Sequence, residues 1–492
     1  MEISLVDIGG NEIVRGKWPG SCQVLVLLQA AYKSKPGFQC KLMCGDVQLQ
    51  PRMRLADLDR GIVTLVWARE DPPKRKVLRA AFAAITAHGS VVTWGDPQCG
   101  GDSSSVSDQI QEGVVQVVSN ERAFAAVKAD GSVVTWGDPA YGGIGSSISA
   151  EQLKEGVVQV VSNKFAFAAI KAAGSVVTWG PARGGDSSVI SDKLEEGVVQ
   201  VVSNGFAFAA LKADGSVATW GDAVFGGDSS AISDGLRGGV CQVVSNESAF
   251  AAIKADGSVV TWGDPTRGGN SSSISDKLHD SVVQVVSNSF AFAAIKADGS
   301  VATWGGPTRG GNSTSISGKI QQGVVEVVSN DFAFAAIKVD GSVATWGDAS
   351  WGGNSYSVSE KLRKDVVQVV ASARAFAAIK ANGSVVTWGD PARGGNSFSV
   401  SDMLQEGVVQ VVGNDFAFAA IKADGSAVTW GARHCGGVCS AVSDQLQEGV
   451  VQVVSNERAF AALKADGSVV TWGDPERGGD SSCVSETLKK GV

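Results

Sequence analysis

The sequence predicts a mainly β protein built from about ten short repeats, with a smaller α+β domain at the N-terminus. Three observations support this prediction: a tryptophan recurs at nearly constant spacing, each copy carries three strand-like runs, and the first 70 residues lack the repeat. Most neighbouring copies are 42 residues apart, and together they cover residues 77–492. The recurring residues are Trp94, Trp136, Trp179, Trp220, Trp262, Trp304, Trp346, Trp388, Trp430 and Trp472.

One unit begins "GVVQVVSNERAFAAVKADGSVVTWGDP". The run "VVQVV" is typical of a strand buried on both faces, and "AFAAVKA" and "SVVTWG" read as two further strands. Asp130-Gly131 between these two predicts a type I′ hairpin turn, in which both central residues need a positive φ. The Gly- and Ser-rich remainder predicts a loop with at most a short helix. Because such a small sheet cannot bury its faces alone, the repeats must stack, around a ring or along a superhelix.

Composition excludes several function classes. A net charge of −8 argues against a nucleic-acid-binding protein, which needs a basic face. The chain has no apolar run long enough to span a membrane and no signal peptide at its start. The eight cysteines have no common spacing and are expected to be free thiols. We therefore expect a cytoplasmic location, with the nucleus as the alternative.

No residue pattern for catalysis or metal binding stands out. The three histidines, His88, His279 and His434, form no triad with a nucleophile, so the sequence predicts no enzyme, no catalytic residue and no cofactor. His434, Cys435 and Cys439 resemble part of a zinc site but lack a fourth ligand, and an ordinary loop is the preferred interpretation.

"AFAAIKADGSVVTWG" followed by a Gly-rich loop resembles the regulator-of-chromosome-condensation (RCC1) repeat. The resemblance implies a β-propeller that acts through its loop faces. Two features depart from that family: ten repeats rather than the usual seven, and a first unit without "VVQVV". The chain also stops at Gly491-Val492, where the next such strand would begin. A closed ring, an open superhelix and a fragment of a longer protein all remain open alternatives.

Residues 1–70 resemble ubiquitin through "KLMCGDVQL" and "LADLDRGIVTLVW", and residues 71–76 form a charged, Pro-containing linker. Ile8, Met43 and Val66 match the apolar recognition patch of ubiquitin. The resemblance implies a built-in ubiquitin-like domain whose partners belong to the ubiquitin pathway.

Differences between repeats point to a binding face. Five residues after each recurring Trp, the copies carry mainly Arg or an aromatic residue, the types that dominate binding hot spots. In the third repeat, which is one residue shorter here, the aligned residue is Arg183, four after Trp179. The residues just before each hairpin, such as Glu121-Arg122 and Lys164-Phe165, vary in the same way. The alternative is free variation of a surface loop. The predicted partner-binding residues are Tyr141, Arg183, Phe225, Arg267, Arg309, Trp351, Arg393 and Arg477, and Cys99 and Cys435 occupy the same position in two other repeats.

The sequence therefore predicts a non-enzymatic scaffold that binds an unidentified partner protein through its repeat loops, with a link to the ubiquitin system. Two alternatives are a substrate-binding component of an E3 ubiquitin ligase and a guanine-nucleotide exchange factor for a small GTPase, the activity of the founding RCC1 protein.

Overall fold

The computed structural model describes residues 2–7, 12–17, 27, 39–44, 47–48, 55, 58, 62–68, 81–86, 88–143, 150–181 and 183–481. Its N-terminal strands are β1 (Glu2–Asp7), β2 (Glu12–Lys17), β3 (Gln39–Cys44), β4 (Val47–Gln48) and β5 (Ile62–Ala68). They form one sheet in the order β2-β1-β5-β3-β4, with β1 and β5 parallel and the other pairs antiparallel. Ile3, Leu5, Leu42 and Val63 are buried. The described residues thus establish a mixed sheet with a core, and its ubiquitin-like identity remains a prediction.

The repeats confirm the three-stranded unit. In each complete repeat the strands pair antiparallel in chain order, and we call them inner, middle and outer. The inner strands are β8 (Val114–Ser119), β11 (Val157–Ser162), β14 (Val198–Ser203), β17 (Val240–Ser245), β20 (Val282–Ser287), β23 (Val324–Ser329), β26 (Val366–Ala371), β29 (Val408–Gly413) and β32 (Val450–Ser455).

The middle strands are β6 (Ala81–Ile85), β9 (Ala123–Lys128), β12 (Phe167–Lys171), β15 (Ala207–Lys212), β18 (Ala249–Lys254), β21 (Ala291–Lys296), β24 (Ala333–Lys338), β27 (Ala375–Lys380), β30 (Ala417–Lys422) and β33 (Ala459–Lys464). The outer strands are β7 (Val91–Gly95), β10 (Val133–Gly137), β13 (Val176–Trp179), β16 (Val217–Gly221), β19 (Val259–Gly263), β22 (Val301–Gly305), β25 (Val343–Gly347), β28 (Val385–Gly389), β31 (Ala427–Gly431) and β34 (Val469–Gly473).

Short helical turns join the strands. Two connectors contain a single α-helical turn, α1 (Ser191–Leu194) and α2 (Ser275–Leu278). The other connectors, and the first part of these two, hold 3-10 turns at Ser104–Gln109, Ala150–Leu153, Ser188–Ile190, Ser230–Leu236, Ser272–Ile274, Thr314–Lys319, Tyr356–Val358, Phe398–Leu404 and Ser443–Leu446. A second set follows the outer strands at Pro97–Cys99, Pro139–Tyr141, Ala223–Phe225, Pro265–Arg267, Pro307–Arg309, Ala349–Trp351, Pro391–Arg393, Arg433–Cys435 and Pro475–Arg477.

The core lies between neighbouring repeats. Side chains alternate along each middle strand, so that Ala123 and Ala125 face the next repeat and pack against its Phe167 and Trp179. Phe167 and Trp179 stack with their ring centroids 5.2 Å apart, and both are fully buried. Small residues on one sheet thus accommodate large ones on the next, which explains why every unit contains both alanines and a Phe–Trp pair.

A hydrogen bond from each buried indole joins consecutive repeats. Trp136 Nε1 donates to the carbonyl oxygen of Gly100, in the preceding repeat, at 3.0 Å. Gly100 has a φ of 89°, and a Cβ atom there would lie 2.5 Å from the Phe124 ring. The position therefore requires glycine both for its backbone conformation and for the close approach of the ring.

The two ends of the array meet. The inner strands of repeats 2 to 10 line one central channel. Trp94 of the first repeat donates to the carbonyl of Gly478 of the last at 3.4 Å, the same bond that joins consecutive repeats elsewhere. The described part of the first repeat is a two-stranded sheet of β6 and β7 and shares no strand with the last repeat, so the ends meet through this hydrogen bond and side-chain packing.

The hairpin turns correct one prediction. The expected type I′ turn would give Asp130 a positive φ, but only Gly131 has one, at 78°. Gly131 N–H donates to the Lys128 carbonyl and Lys128 N–H to the Ser132 carbonyl, which is the pattern of a type I turn followed by a glycine bulge. The Asp130 carboxylate instead accepts hydrogen bonds from the backbone N–H of Ser132 at 2.9 Å and from its hydroxyl at 2.6 Å.

Candidate partner-binding face

A buried asparagine after each inner strand connects the two variable loops of its repeat. Asn330 Oδ1 accepts from the backbone N–H groups of Phe332 and Ala333 at 2.9 and 2.8 Å. Its Nδ2 donates to the carbonyl of Trp351 at 2.6 Å. One side chain thus shapes the inner–middle turn and anchors the loop after the outer strand.

The same bond reaches every predicted binding residue. The carbonyls of Tyr141, Arg183, Phe225, Arg267, Arg309, Trp351 and Arg477 each accept from an asparagine, and that of Arg393 accepts from Ser372, which replaces the asparagine in repeat 8. The donors are Asn120, Asn163, Asn204, Asn246, Asn288, Asn330 and Asn456. The residue five after each Trp is therefore held beside the residue that begins the hairpin.

The turn that carries the variable residue is itself capped at both ends. Asp138 accepts from the backbone N–H of Ala140 at 2.9 Å, and Pro139 occupies the first position of the turn. Gly142 ends it with a φ of 85°. Tyr141 is thus the last residue of a short rigid turn and not part of a free loop.

The two variable positions form a belt of stacked side chains that follows the ring. In repeats 2 to 4, Tyr141 stacks on Phe165 with centroids 5.6 Å apart, and Phe206 stacks on Phe225 at 4.4 Å. The guanidinium of Arg183 lies 5.6 Å from the Phe165 ring and 5.7 Å from the Phe206 ring. These distances are in the range of cation–π attraction.

The belt is densest in repeats 6 to 8. The Phe332 and Trp351 ring centroids are 3.9 Å apart. Arg374 lies 4.2 Å from the Trp351 ring centroid, and Arg309 lies 5.0 Å from the same centroid. Two arginines from different repeats therefore contact one tryptophan. Arg267 extends this segment by lying 4.5 Å from Phe290.

A third segment occupies repeats 8 to 10. Arg393 and Arg458 lie 4.1 and 5.0 Å from the Phe416 ring centroid. Burial, and next the nearby charge of Arg374, lower the pKa of Arg393. Arg477 makes its contacts with acids instead, at 3.7 Å from Glu457 and 3.9 Å from Asp474.

The arginines of the belt are held in place. Arg309 pairs with Asp348 at 3.5 Å and Arg393 with Asp390 at 3.7 Å, and their side chains are only 31% and 24% exposed. By contrast, Arg237 and Arg363 on the connectors are 79% and 72% exposed. Side chains that are already ordered lose less conformational entropy when a partner binds.

An acidic ring lies inside the belt. In repeats 4 to 10 the residue after the tether borders one end of the central channel, and backbone bonds such as Gly205 N–H to the Glu247 carbonyl, 3.1 Å, join neighbouring repeats there. Lys164 pairs with Glu247 at 2.9 Å. Burial, opposed by the charge of Lys164, raises the pKa of Glu121. The acidic members of this ring are Glu121, Glu247, Asp331, Asp415 and Glu457.

The structure brings the predicted loop residues together with partners that the sequence did not single out as binding residues, namely Phe206, Phe290, Arg374 and Phe416. The signal for this arrangement was the asparagine itself, which recurs before every hairpin from Asn120 onward except at Ser372.

The cysteines at the belt position have no nucleophilic character. Burial, and next a hydrogen bond to Asp96, raise the pKa of Cys99 to about 11, and burial raises the pKa of Cys435. Both thiols therefore stay protonated at neutral pH.

In the predicted ubiquitin-like patch, Met43 is partly buried on β3, and Val66 lies on β5 opposite Lys41. Ile8 lies outside the described residues.

Two further kinds of feature are absent from the described residues. Within them, no group of three or more His, Cys, Asp or Glu side chains is placed to hold a metal ion. In the same part of the chain, no helix has the length and apolar character needed to cross a membrane.

No protein-family model matches the chain, and no curated protein matches it. Solved structures similar to it include Prp20p, the yeast RCC1 from Saccharomyces cerevisiae, at 14% identity over 60% of this chain and 79% of that one, with a TM-score of 0.33. The CRINKLY WD40 ectodomain of the Arabidopsis thaliana receptor kinase ACR4 is 19% identical over 54% and 90%, with a TM-score of 0.29.

Human WBSCR16 is 15% identical over 85% and 92% of the two chains, with a TM-score of 0.28. Because these TM-scores are low, the likenesses carry no argument about function. The architecture established for this chain is a mainly β, propeller-like array of three-stranded repeats.

Proposed function

We propose that this chain is a non-enzymatic scaffold that binds a partner protein through the stacked Arg–aromatic belt. The observation that carries the proposal is the asparagine tether, which fixes the same backbone atom in every complete repeat except repeat 8, where Ser372 takes its place, and which leaves the attached side chain free to differ. Because the surrounding strands are nearly identical, the variation is concentrated on one face, and it consists mainly of the residue types that dominate protein interfaces.

The centre of the proposed interface is Trp351, with Arg309 and Arg374 against its ring. Replacing both arginines with alanine removes two ordered guanidinium groups and should weaken binding at least about tenfold, as expected for hot-spot arginines. Arg237→Ala/Arg363→Ala is the matched control, because it removes the same number of arginines from exposed connectors.

The test starts with a photo-crosslinking residue at position 225 of the belt, in the full chain, and identification of the crosslinked protein by mass spectrometry. The identified partner is then purified, and its affinity for the parent chain and both double variants is measured by calorimetry. Equal affinities for the two double variants would contradict the proposal.

Two narrower activities are tested with the same material. The first is accelerated nucleotide release from a small GTPase, which the resemblance of the repeats to the RCC1 repeat implies. The second is delivery of the captured partner to a ubiquitin ligase. For the second we propose the N-terminal sheet as a ubiquitin-like module, and a chain of residues 77–492 should keep partner binding but lose any ubiquitin-dependent readout.

We place the scaffold in the cytoplasm, with the nucleus as the alternative, and cell fractionation decides between them.

A further inference from the structure

The nine complete repeats show what a middle strand binds along its inner edge. In repeat 2, Val114 pairs with Lys128, Val117 with Ala126 and Ser119 with Phe124. The equivalent register recurs in the other complete repeats. The chain thus holds nine copies of the strand that fits this edge. Each copy begins with Val-Val or, once, Val-Cys, has Gln or Glu at position 3, and has Val-Val at positions 4 and 5 before a small residue.

The first repeat presents the same edge without that strand. β6 has the sequence AFAAI of a middle strand, yet within the described residues it pairs only with β7. Phe82 and the three residues after it are partly exposed, whereas their counterparts Phe124, Ala125 and Ala126 are 5%, 0% and 0% exposed. The edge therefore offers backbone hydrogen-bonding groups beside uncovered apolar side chains.

On the last repeat, the side that faces the first repeat is also less covered than in the other repeats. The fifth residue of an inner strand packs against the following repeat, as Val161 does against the cluster around Phe208. Val202 and Val244 at this position are 0% and 3% exposed, but Val454, which faces the first repeat across the Trp94–Gly478 contact, is 48% exposed. In the part of the chain that the structure describes, no inner strand of repeat 1 covers Val454.

A serine contact defines the end of the missing strand. Ser162 Oγ donates to the Ser119 carbonyl at 2.8 Å, and Ser203 Oγ to the Ser162 carbonyl at 2.7 Å, so each inner strand ends by bonding to the previous one. A strand placed on β6 with serine in sixth position would donate in the same way to the carbonyl of Ser455. A strand that fits this edge therefore needs a serine hydroxyl at position 6 in addition to its apolar side chains.

We propose that the inner edge of β6 is a binding site for an extended segment of a partner polypeptide. The segment carries a β-branched residue at positions 1, 4 and 5, serine at position 6, and no proline. Position 2 is less restricted, because the valines there are exposed in most complete repeats, as Val115 and Val158 are at 62% and 60%, although Val283 is 5% exposed. Binding occurs by strand addition, in which main-chain hydrogen bonds supply affinity and side-chain pockets supply specificity.

The probe is the chain's own inner strand, a labelled peptide EGVVQVVSNER that corresponds to residues 112–122. We expect saturable 1:1 binding to the full chain by fluorescence anisotropy, with hydrogen-exchange protection appearing in residues 81–85. A peptide with proline in place of both Val117 and Val118 cannot make the ladder bonds of these residues and should bind at least about tenfold more weakly.

Two variants of the chain form a matched pair. Val454→Asp places a charge beside the site and should weaken peptide binding about tenfold or more. Val115→Asp alters a valine of repeat 2 that is 62% exposed, against 48% for Val454, and should change peptide binding less than about twofold. The Arg309→Ala/Arg374→Ala belt variant should bind the peptide normally, which separates this site from the proposed belt interface.

Absence of saturable binding, equal binding of the proline peptide, or protection elsewhere than in β6 would overturn the proposal. Protection of β6 that rises with the concentration of the chain alone would assign the site to a second copy of this protein, and would also overturn it.

Discussion

Replacing Asn330 with alanine tests whether the asparagine tether holds the belt. The change removes three hydrogen bonds, two accepted from the backbone N–H groups of Phe332 and Ala333 and one donated to the Trp351 carbonyl. Asn330 is 6% exposed, so water cannot readily replace these bonds. At roughly 1 kcal/mol for each bond, local stability should fall by about 3 kcal/mol.

The chain offers a natural intermediate. In repeat 8, Ser372 bonds to the Arg393 carbonyl at 3.1 Å and accepts from the N–H of Ala375 at 3.0 Å. Asn330→Ser should therefore lose about one of the three bonds and cost about a third as much as Asn330→Ala, about 1 kcal/mol. Ser372→Asn should stabilise repeat 8 by up to about 1 kcal/mol.

Native-state hydrogen exchange at the Ala333 amide is the appropriate assay, because repeat arrays often unfold in parts and a global midpoint mixes them. A loss of about 3 kcal/mol predicts exchange faster by about a hundredfold. Asn312→Ala is the control, since this exposed connector asparagine accepts its hydrogen bonds from Thr314, and its removal should leave exchange at Ala333 unchanged. Exchange within about threefold of the parent for Asn330→Ala, or identical rates for the alanine and serine variants, would refute the reasoning.

Two further predictions concern stability. Ser281 and Asp365 have φ values of 60° and 65° at a position where most repeats carry glycine, such as Gly323 at 72°. Ser281→Gly and Asp365→Gly should therefore each raise the free energy of unfolding by about 0.5–1 kcal/mol, as measured by denaturant titration. A loss of stability in either variant would contradict this. The hydroxyl and backbone N–H of Ser132 lower the pKa of Asp130, so its contribution is present above the unfolded-state pKa of about 3.9 and is lost as pH falls through the lower folded-state value. The pKa is lowered in the same way at Asp214, Asp256, Asp424 and Asp466. Asparagine makes equivalent hydrogen bonds at Asn382, so replacing all five aspartates with asparagine should flatten the fall in melting temperature between about pH 5 and pH 2. An equally steep fall in the five-fold variant would argue against this.

Much of the fold could be predicted because the same pattern of residues recurs in every repeat. The alternation of "AFAAIK" and its Asp-Gly turn indicated a hairpin, and the recurring Trp indicated a core residue, as the burial of Trp136 shows. The turn type was wrong because the Asp-Gly pair is compatible with two turns. The same hydrogen-bond pattern forms in repeat 3, where Ala173 replaces the aspartate, so the turn type does not depend on the bonds between Asp130 and Ser132.

The tether and the meeting of the ends could not be predicted because both depend on distance in space. Asn330 and Trp351 are 21 residues apart and belong to loops that the local pattern treats separately. Trp94 and Gly478 are 384 residues apart, and no local residue pattern encodes a contact across that separation.

The tether also explains why recognition and architecture can vary independently in this chain. Asn120 holds the carbonyl of a tyrosine, Asn288 that of an arginine and Asn414 that of a cysteine, at 2.6, 2.6 and 2.7 Å. Because the bond is made to the backbone, it does not depend on the side chain that it positions. Substitution at the belt position therefore changes the chemistry of the face without removing the tether hydrogen bond, whereas substitution of the asparagine removes that bond whichever residue occupies the belt position.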